Sequence, residues 1–226
     1  MVRLAPLLLP LALLGPAAGP AFATGERDTG TPARTGCSDQ VLVGGVQLPE
    51  DPYLYTLINA DHAWGIPDLV DLIVDTATRM KELLPFGSPI VVGDLSARRG
   101  GVLYPHKSHR GGVDADIGLY QGGAWQPKGI LPFPATDLDV AANFMLIATL
   151  LASGRVDLIL LDRTHIATIR SWALANGELE AGEADFWFPP TGSRREKQGA
   201  GVVRHAPGHD GHLHVRVLCP DGSRAR

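Results

Sequence analysis

The sequence predicts an α+β fold, a single domain in which a small, mostly antiparallel sheet is packed by helices. Its 226 residues are 45% hydrophobic, which suffices for one well-packed core and is short for two. Apolar residues recur at helical spacing in three segments, and short β-branched segments alternate irregularly with them. No internal repeat is apparent that would indicate a regularly wound architecture.

The N-terminal part of the chain resembles an export signal followed by a linker. Arg3 precedes an apolar run that is shorter than the roughly 18–20 residues of a membrane span, and Ala21-Phe22-Ala23 matches a cleavage site. Residues 24–36 are polar and lack periodicity, as is typical of disorder. We therefore predict a signal peptide over residues 1–23, a disordered lead-in over 24–36, and a folded domain over 37–222, with no stable membrane insertion after cleavage.

Three helices are predicted from apolar spacing. The first covers residues 66–84, with Pro67 in the first turn and Pro85 after the end. The second covers 137–151 and is apolar around most of its circumference, which predicts burial. The third covers 164–176 and ends at Gly177, a residue that readily adopts the left-handed conformation of a helix terminator.

Five short strands are predicted, at residues 89–93, 114–119, 155–161, 202–205 and 212–217. The run over 155–161 is almost continuously apolar, which predicts an interior strand covered on both faces. Residues 189–201 are rich in glycine, proline and basic side chains and are predicted to form a flexible loop. In the last strand, alternation places His212, His214 and Arg216 on one face.

Histidine and aspartate are concentrated in two short segments, which indicates a metal site. The first runs from His106 to Asp116 and contains His109, Asp114 and a glycine pair that permits a sharp turn. The second contains His209, His212 and His214. Imidazole and carboxylate ligands suit Zn²⁺, and a catalytic zinc takes three protein ligands and one water. Spacing alone does not distinguish His212 from His214 as a ligand.

The remaining histidines and the cysteines are assigned more ordinary roles. Isolated histidines are usually core or surface residues, and this interpretation is applied to His62, His165 and His205. Cys37 and Cys219 are an even pair in an exported chain, which favours a disulfide over two free thiols. The formal net charge of −4 and the lack of basic runs argue against nucleic acid as a partner.

The two histidine segments resemble those of a known family. Ser108-His109-x6-Asp116, with His106 three residues earlier, and His209-x-x-His212-x-His214-Val-Arg216, followed by Cys219-Pro220, are similar to the motifs of penicillin-insensitive murein endopeptidases. These belong with D-alanyl-D-alanine peptidases, lysostaphin-type enzymes and the hedgehog signalling domain. The resemblance implies a hedgehog/DD-peptidase-like fold and a periplasmic zinc endopeptidase that cuts D-alanyl to meso-diaminopimelyl cross-links in peptidoglycan.

The resemblance also implies a role for each site residue. His109, Asp116 and His214 would be the zinc ligands, His212 would be the catalytic histidine, and His209 would share the catalytic site that His106 lines. The aspartate and histidine that serve a second metal in the family's best-known member have no match in residues 137–165. A second zinc is therefore not predicted.

Three other functions are weighed against an endopeptidase. Relatives that remove terminal D-alanine often have a glutamate three residues before the last ligand, a position occupied here by Gly211, which argues against a zinc D-alanyl-D-alanine carboxypeptidase. Asp210 stays an alternative base, although an aspartate before glycine is also typical of a turn. A serine or cysteine nucleophile, such as Ser108, and a non-catalytic zinc-stabilised cell-wall binding module are the remaining alternatives.

Overall fold

Eight strands, five α-helices and two short 3-10 helices form in residues 37–122 and 129–225, which are the parts of the chain that the computed structural model describes. The predicted signal peptide and lead-in lie outside these residues. The strands are β1 Val46–Gln47, β2 Tyr55–Leu57, β3 Trp64–Gly65, β4 Ile90–Val92, β5 Asp114–Gly118, β6 Val156–Leu161, β7 Val203–His205 and β8 His212–Val217. The helices are α1 Pro67–Leu83, α2 Val140–Ala152, α3 Arg163–Ala175, α4 Ala181–Trp187 and α5 Arg194–Lys197.

The principal sheet has six strands in the order β2-β4-β5-β8-β6-β7. Its three central pairs are antiparallel, and only the outer pairs β2/β4 and β6/β7 are parallel. Strands β1 and β3 form a separate antiparallel pair. The predicted α+β class with a mostly antiparallel sheet is confirmed.

The core lies between one face of this sheet and the helices. Alternate residues of β5 and β8 enter it, namely Ala115, Ile117, Leu213 and Val215. The apolar stripe of α1 and the broadly apolar α2 join the same cluster. Asp139 caps α2 by accepting from the Ala142 amide, and the buried Asn143 side chain satisfies the backbone of Tyr120. The core therefore leaves the other residues of β5 and β8 for the opposite face.

The predicted helices and strands all form, with ends shifted by up to three residues. The short strands β1, β2 and β3 and helix α4 were not predicted. Residues 189–201 are not simply a loop, because Ser193 accepts from the Glu196 amide and begins the single turn of α5. Among the described residues, no helix is both long enough and apolar enough to cross a membrane.

The expected coverage of β6 is wrong on one side. The strand does lie inside the sheet, between β8 and β7, and Ile159 and Leu161 are fully buried. Leu158 and Leu160, however, face the opposite side and stay partly exposed. A continuous apolar run therefore does not mean here that helices cover both faces.

The predicted disulfide between Cys37 and Cys219 is confirmed, and it joins residues 182 apart in sequence. We expect Cys37→Ser combined with Cys219→Ser to lower the free energy of unfolding by about 5 kcal/mol, because the crosslink restricts the unfolded chain over a long loop. Urea unfolding of the oxidised protein and the double variant measures this loss. The reduced wild type is the control and should match the variant. Equal midpoints for all three proteins would contradict the prediction.

Candidate metal centre

The face of the sheet opposite the core carries the predicted site residues, because β5 and β8 pair in a fixed register. Asp116 lies directly opposite His214, and Asp114 lies opposite Arg216. Directly opposed residues in a sheet point to the same side, as do residues two apart on a strand. His212, His214 and Arg216 therefore share one face with the two aspartates, as predicted from alternation.

His109 reaches this face from the loop before β5 through an unusual backbone conformation. It has a positive φ of 61°, which is uncommon for a residue with a side chain. The nearby Gly112 also has a positive φ, and a Cβ there would lie 2.7 Å from Leu42 Cδ1. A Cβ on Gly111 would lie 1.9 Å from the Ser38 carbonyl oxygen. The glycine pair thus allows the close packing that holds His109 in place.

Three ligand atoms converge at the centre of the site. His109 Nε2 lies 3.1 Å from His214 Nδ1 and 3.2 Å from Asp116 Oδ1, and the last two atoms are 3.1 Å apart. Ligands at about 2.0–2.1 Å in a tetrahedral zinc site are separated by about 3.3–3.4 Å. The triangle therefore has nearly the dimensions of one face of a zinc coordination tetrahedron. All three residues are buried.

The outer nitrogens of both histidines fix which inner nitrogens carry lone pairs. His109 Nδ1 donates to the Leu95 carbonyl oxygen at 2.8 Å, and His214 Nε2 donates to Asp114 Oδ1 at 3.0 Å. In the neutral rings, His109 Nε2 and His214 Nδ1 are then bare acceptors. Three acceptor atoms in mutual contact require a positive charge among them, which a proton or a metal cation would supply.

The pKa values of Asp116 and His214 also indicate that a positive charge is needed among the three atoms. Burial would raise the pKa of Asp116, but hydrogen bonds that His109 and His214 donate when they are protonated hold it well below its usual range. Burial would likewise lower the pKa of His214, yet Asp114 and Asp116 raise it to about 9. The second oxygen of Asp116, Oδ2, is buried without a hydrogen-bond partner among the described residues. A cation at this position would balance the charge of the buried carboxylate and would give its Oδ2 atom a partner.

Asp114 orients His109 and His214, a role that the sequence did not reveal. Its carboxylate accepts from His214 Nε2, from the His109 amide at 3.3 Å, and from Arg216 through two nitrogens at 2.7 and 3.0 Å. These partners outweigh the effect of complete burial and keep the pKa of Asp114 far below its usual range. The available signal was the Asp-x-Asp alternation opposite His-x-Arg, but its use requires the register of the two strands.

His106 lies at the rim of the triangle and is held by a second carboxylate. Its Nε2 lies 2.9 Å from Asp94 Oδ2, and Asp94 Oδ1 lies 2.9 Å from His62 Nδ1. The Asp94 hydrogen bond is the main cause of a raised pKa for His106. His62 therefore belongs to the site's hydrogen-bond network, contrary to its expected role as an isolated histidine. Asp94 lies in a loop and His62 ends a one-turn 3-10 helix, and neither belongs to a motif, so the sequence offered no signal for either.

Two sets of possible ligands overlap at His109 and Asp116. His106, His109 and Asp116 can bring one ligand atom each within 4.8 Å of one another. Within that set, His106 Nδ1 is 3.8 Å from Asp116 Oδ2. The set that contains His214 is tighter, with all three separations at 3.1–3.2 Å.

His212 and His209 lie beside the triangle. His212 Nε2 is 3.6 Å from Asp116 Oδ1, and burial lowers the pKa of His212 to about 4. The His209 ring centroid is 5.0 Å from that of His212 and 5.7 Å from that of His214. Asp210 makes its contact here through the backbone, where its carbonyl accepts from the Phe133 amide. The structure thus brings all the predicted site residues together.

The remaining predicted alternatives are placed apart from the triangle. Cys219 is in the disulfide and cannot act as a thiolate nucleophile. His165 is buried, contacts Asp162 and packs its ring against Phe133. His205 lies at the far edge of the sheet, on β7, where it lines a cavity.

Comparison with known proteins agrees with the motif resemblance. A family model described as penicillin-insensitive murein endopeptidase matches residues 31–130, which contain His106, His109 and Asp116 but not the second histidine segment. No curated protein matches the chain. The matched region carries the left-handed His109 turn and strand β5, and β8 completes the site opposite them. Over residues 31–130 the chain is thus similar to the penicillin-insensitive murein endopeptidases.

Proposed function

We propose that this protein is an exported Zn²⁺-dependent endopeptidase that hydrolyses D-alanyl to meso-diaminopimelyl cross-links in peptidoglycan. The observation that carries the proposal is the triangle of His109 Nε2, Asp116 Oδ1 and His214 Nδ1. Two imidazoles and one carboxylate are a donor set that zinc accepts in catalytic sites, with a fourth position available to water. The family description supports murein as the substrate.

The chain's own contacts favour His214 over His106 as the third ligand. In its neutral form His214 points a lone pair at the other two ligand atoms, because Asp114 holds its other nitrogen. His106 is farther away and more exposed, with 22% of its side chain accessible. We assign His106 to the rim, where Asp94 orients it toward Asp116 Oδ2.

We assign the transfer of a proton to His212. Zinc in such a site polarises the scissile carbonyl and makes water a better nucleophile. Burial keeps the His212 imidazole neutral near pH 7, so it can accept the proton of the attacking water. It would return that proton to the leaving amine as the amide C–N bond breaks. His209, whose ring neighbours that of His212, would help to orient it.

The surroundings of Gly211 favour an endopeptidase over a carboxypeptidase. A Cβ on Gly211 would lie 2.4 Å from both the Ile130 and Leu131 carbonyl oxygens, so no glutamate fits at this position without moving that backbone. The carboxylate base found there in relatives that remove terminal D-alanine is thus sterically excluded. A proton route through histidine is consistent with this arrangement.

Export to the periplasm is part of the proposal. The disulfide between Cys37 and Cys219 is typical of oxidising compartments. The N-terminal apolar run and its Ala21-Phe22-Ala23 pattern would supply the cleaved signal.

Purified peptidoglycan tests the activity. We expect the protein to convert cross-linked muropeptide dimers into monomers without releasing free D-alanine. A chelator should stop the reaction and added Zn²⁺ should restore it, because the ligands hold the metal only in the folded site. Chromatography of the muropeptides with and without chelator measures both effects. Release of D-alanine alone would favour a carboxypeptidase, and zinc binding without any cleavage would favour a binding module.

A further inference from the structure

A cavity lies at the far edge of the polar face of the sheet, beside β6 and β7. Its walls come from these strands, the start of α3 and the segment over residues 189–200. Apolar lining comes from Leu158, Leu160, Ile166 and Val203, and the charged or titratable lining comes from Arg163, Glu196, Arg204 and His205. None of these residues belongs to the metal centre.

The register of the sheet connects this cavity with the metal centre. Leu160 lies directly opposite His214 on one side and directly opposite Arg204 on the other. The row Asp116, His214, Leu160, Arg204 therefore runs straight across four strands, with all four side chains on one face. Adjacent strands are about 4.8 Å apart, so Arg204 lies about 10 Å from His214 along the row.

Two leucines form the surface of the sheet between the metal centre and the cavity. Leu158 and Leu160 are only partly buried, although they occupy an interior strand. The apolar surface of this part of the sheet is thus left for something other than the helices. An extended peptide that leaves the metal centre along the row would cover it.

The charges in the cavity favour an anion. Arg163 is already paired with Glu196 at 3.1 Å. Arg204 donates from Nε to the Gly201 carbonyl oxygen at 2.8 Å, and no described residue accepts a hydrogen bond from its two terminal nitrogens. His205 Nδ1 is buried and lacks a hydrogen-bond partner within the described ranges. A carboxylate would match the planar guanidinium of Arg204 and would supply an acceptor in this cavity.

We propose that this cavity binds a free carboxylate of the cross-linked peptide and that Arg204 is its principal contact. An extended peptide rises about 3.3 Å per residue, so a distance of about 10 Å places that carboxylate about three residues from the scissile bond. This inference rests on the proposed function, since it assigns a substrate contact to the same catalytic face. It makes Arg204 a specificity-determining residue for peptides with free carboxylates.

The experiment compares two cross-linked muropeptide dimers, one with free stem carboxylates and one with these carboxylates amidated. The wild type should have a KM about 10- to 100-fold higher for the amidated dimer, because a charge-assisted hydrogen bond is lost, with kcat changed by less than roughly twofold. Arg204→Ala should raise KM for the free dimer by a similar factor and show no preference between the dimers. Arg204→Lys should fall between Arg204→Ala and the wild type.

Arg195→Ala is the matched control, because Arg195 is exposed in the nearby segment over residues 189–200 and does not line the cavity. It removes the same charge and should preserve the wild-type preference. Equal KM values of the wild type for both dimers would overturn the inference while leaving the proposed function intact. This comparison needs no variant and so does not depend on the folding of Arg204→Ala. Failure of the wild type to cleave either dimer would instead refute the proposed function and the inference with it.

Discussion

His214→Ala should lose both bound zinc and peptidoglycan cleavage, whereas His212→Ala should keep most of its zinc and lose cleavage. His214 Nδ1 is one of three atoms in the triangle, and two remaining protein ligands rarely hold zinc against a chelator. His212 lies 3.6 Å from Asp116 and is assigned to proton transfer, a role whose loss costs about 10²–10⁴ in rate.

Bound zinc by mass spectrometry, measured beside turnover of a cross-linked muropeptide, separates the two histidines. His109→Ala and Asp116→Ala are the positive controls for metal loss, because both residues supply atoms to the same triangle. If His212→Ala lost its zinc while His214→Ala retained it, the two roles would be reversed.

Asp114→Asn should lower the free energy of unfolding by about 3–5 kcal/mol and weaken zinc binding by about 10- to 100-fold. The variant leaves the Arg216 guanidinium without its buried counter-charge. It also replaces the oxygen pair that orients His214 and the His109 backbone. Stability and metal affinity should therefore fall together, although Asp114 is not a proposed ligand.

Urea unfolding and a zinc competition titration measure the two effects of Asp114→Asn. Asp75→Asn is the matched control, because it also breaks an aspartate–arginine pair, with Arg155, but at a carboxylate that is 63% exposed. Such surface pairs contribute at most about 1 kcal/mol. Equal stability losses in the two variants would show that Asp114 does not act through its buried contacts.

The sequence was most informative where one short segment contains several residues of the site. His109 and Asp116 lie seven residues apart with a glycine pair between them, so their part in one site could be predicted from the segment alone. His212 and His214 share a face by alternation, but their separate roles depend on what lies across the sheet. Asp116 lies opposite His214, and only the register of two distant strands establishes that pairing.

The residues whose roles were not predicted from the sequence share a physical reason for this. Asp94 and His62 contact the site from a loop and from a single 3-10 turn, where no periodicity indicates the direction of a side chain. Leu158 and Leu160 belong to an apolar run that predicts burial equally well under helices or under a bound peptide. Sequence patterns report that a face is apolar, and they do not report which partner covers it.

The pairing of Asp116 with His214 spans 98 residues, and this has a consequence for how the protein folds. Contacts between distant segments form only after the entropy of closing a long loop has been overcome, which makes them slow to appear. The three proposed zinc ligands therefore come together only when β5 and β8 join at the centre of the sheet. A nascent chain that has been synthesised only as far as β5 contains His109 and Asp116 but still lacks His214. Zinc would thus bind late in folding, and the appearance of metal affinity would show when the sheet is complete.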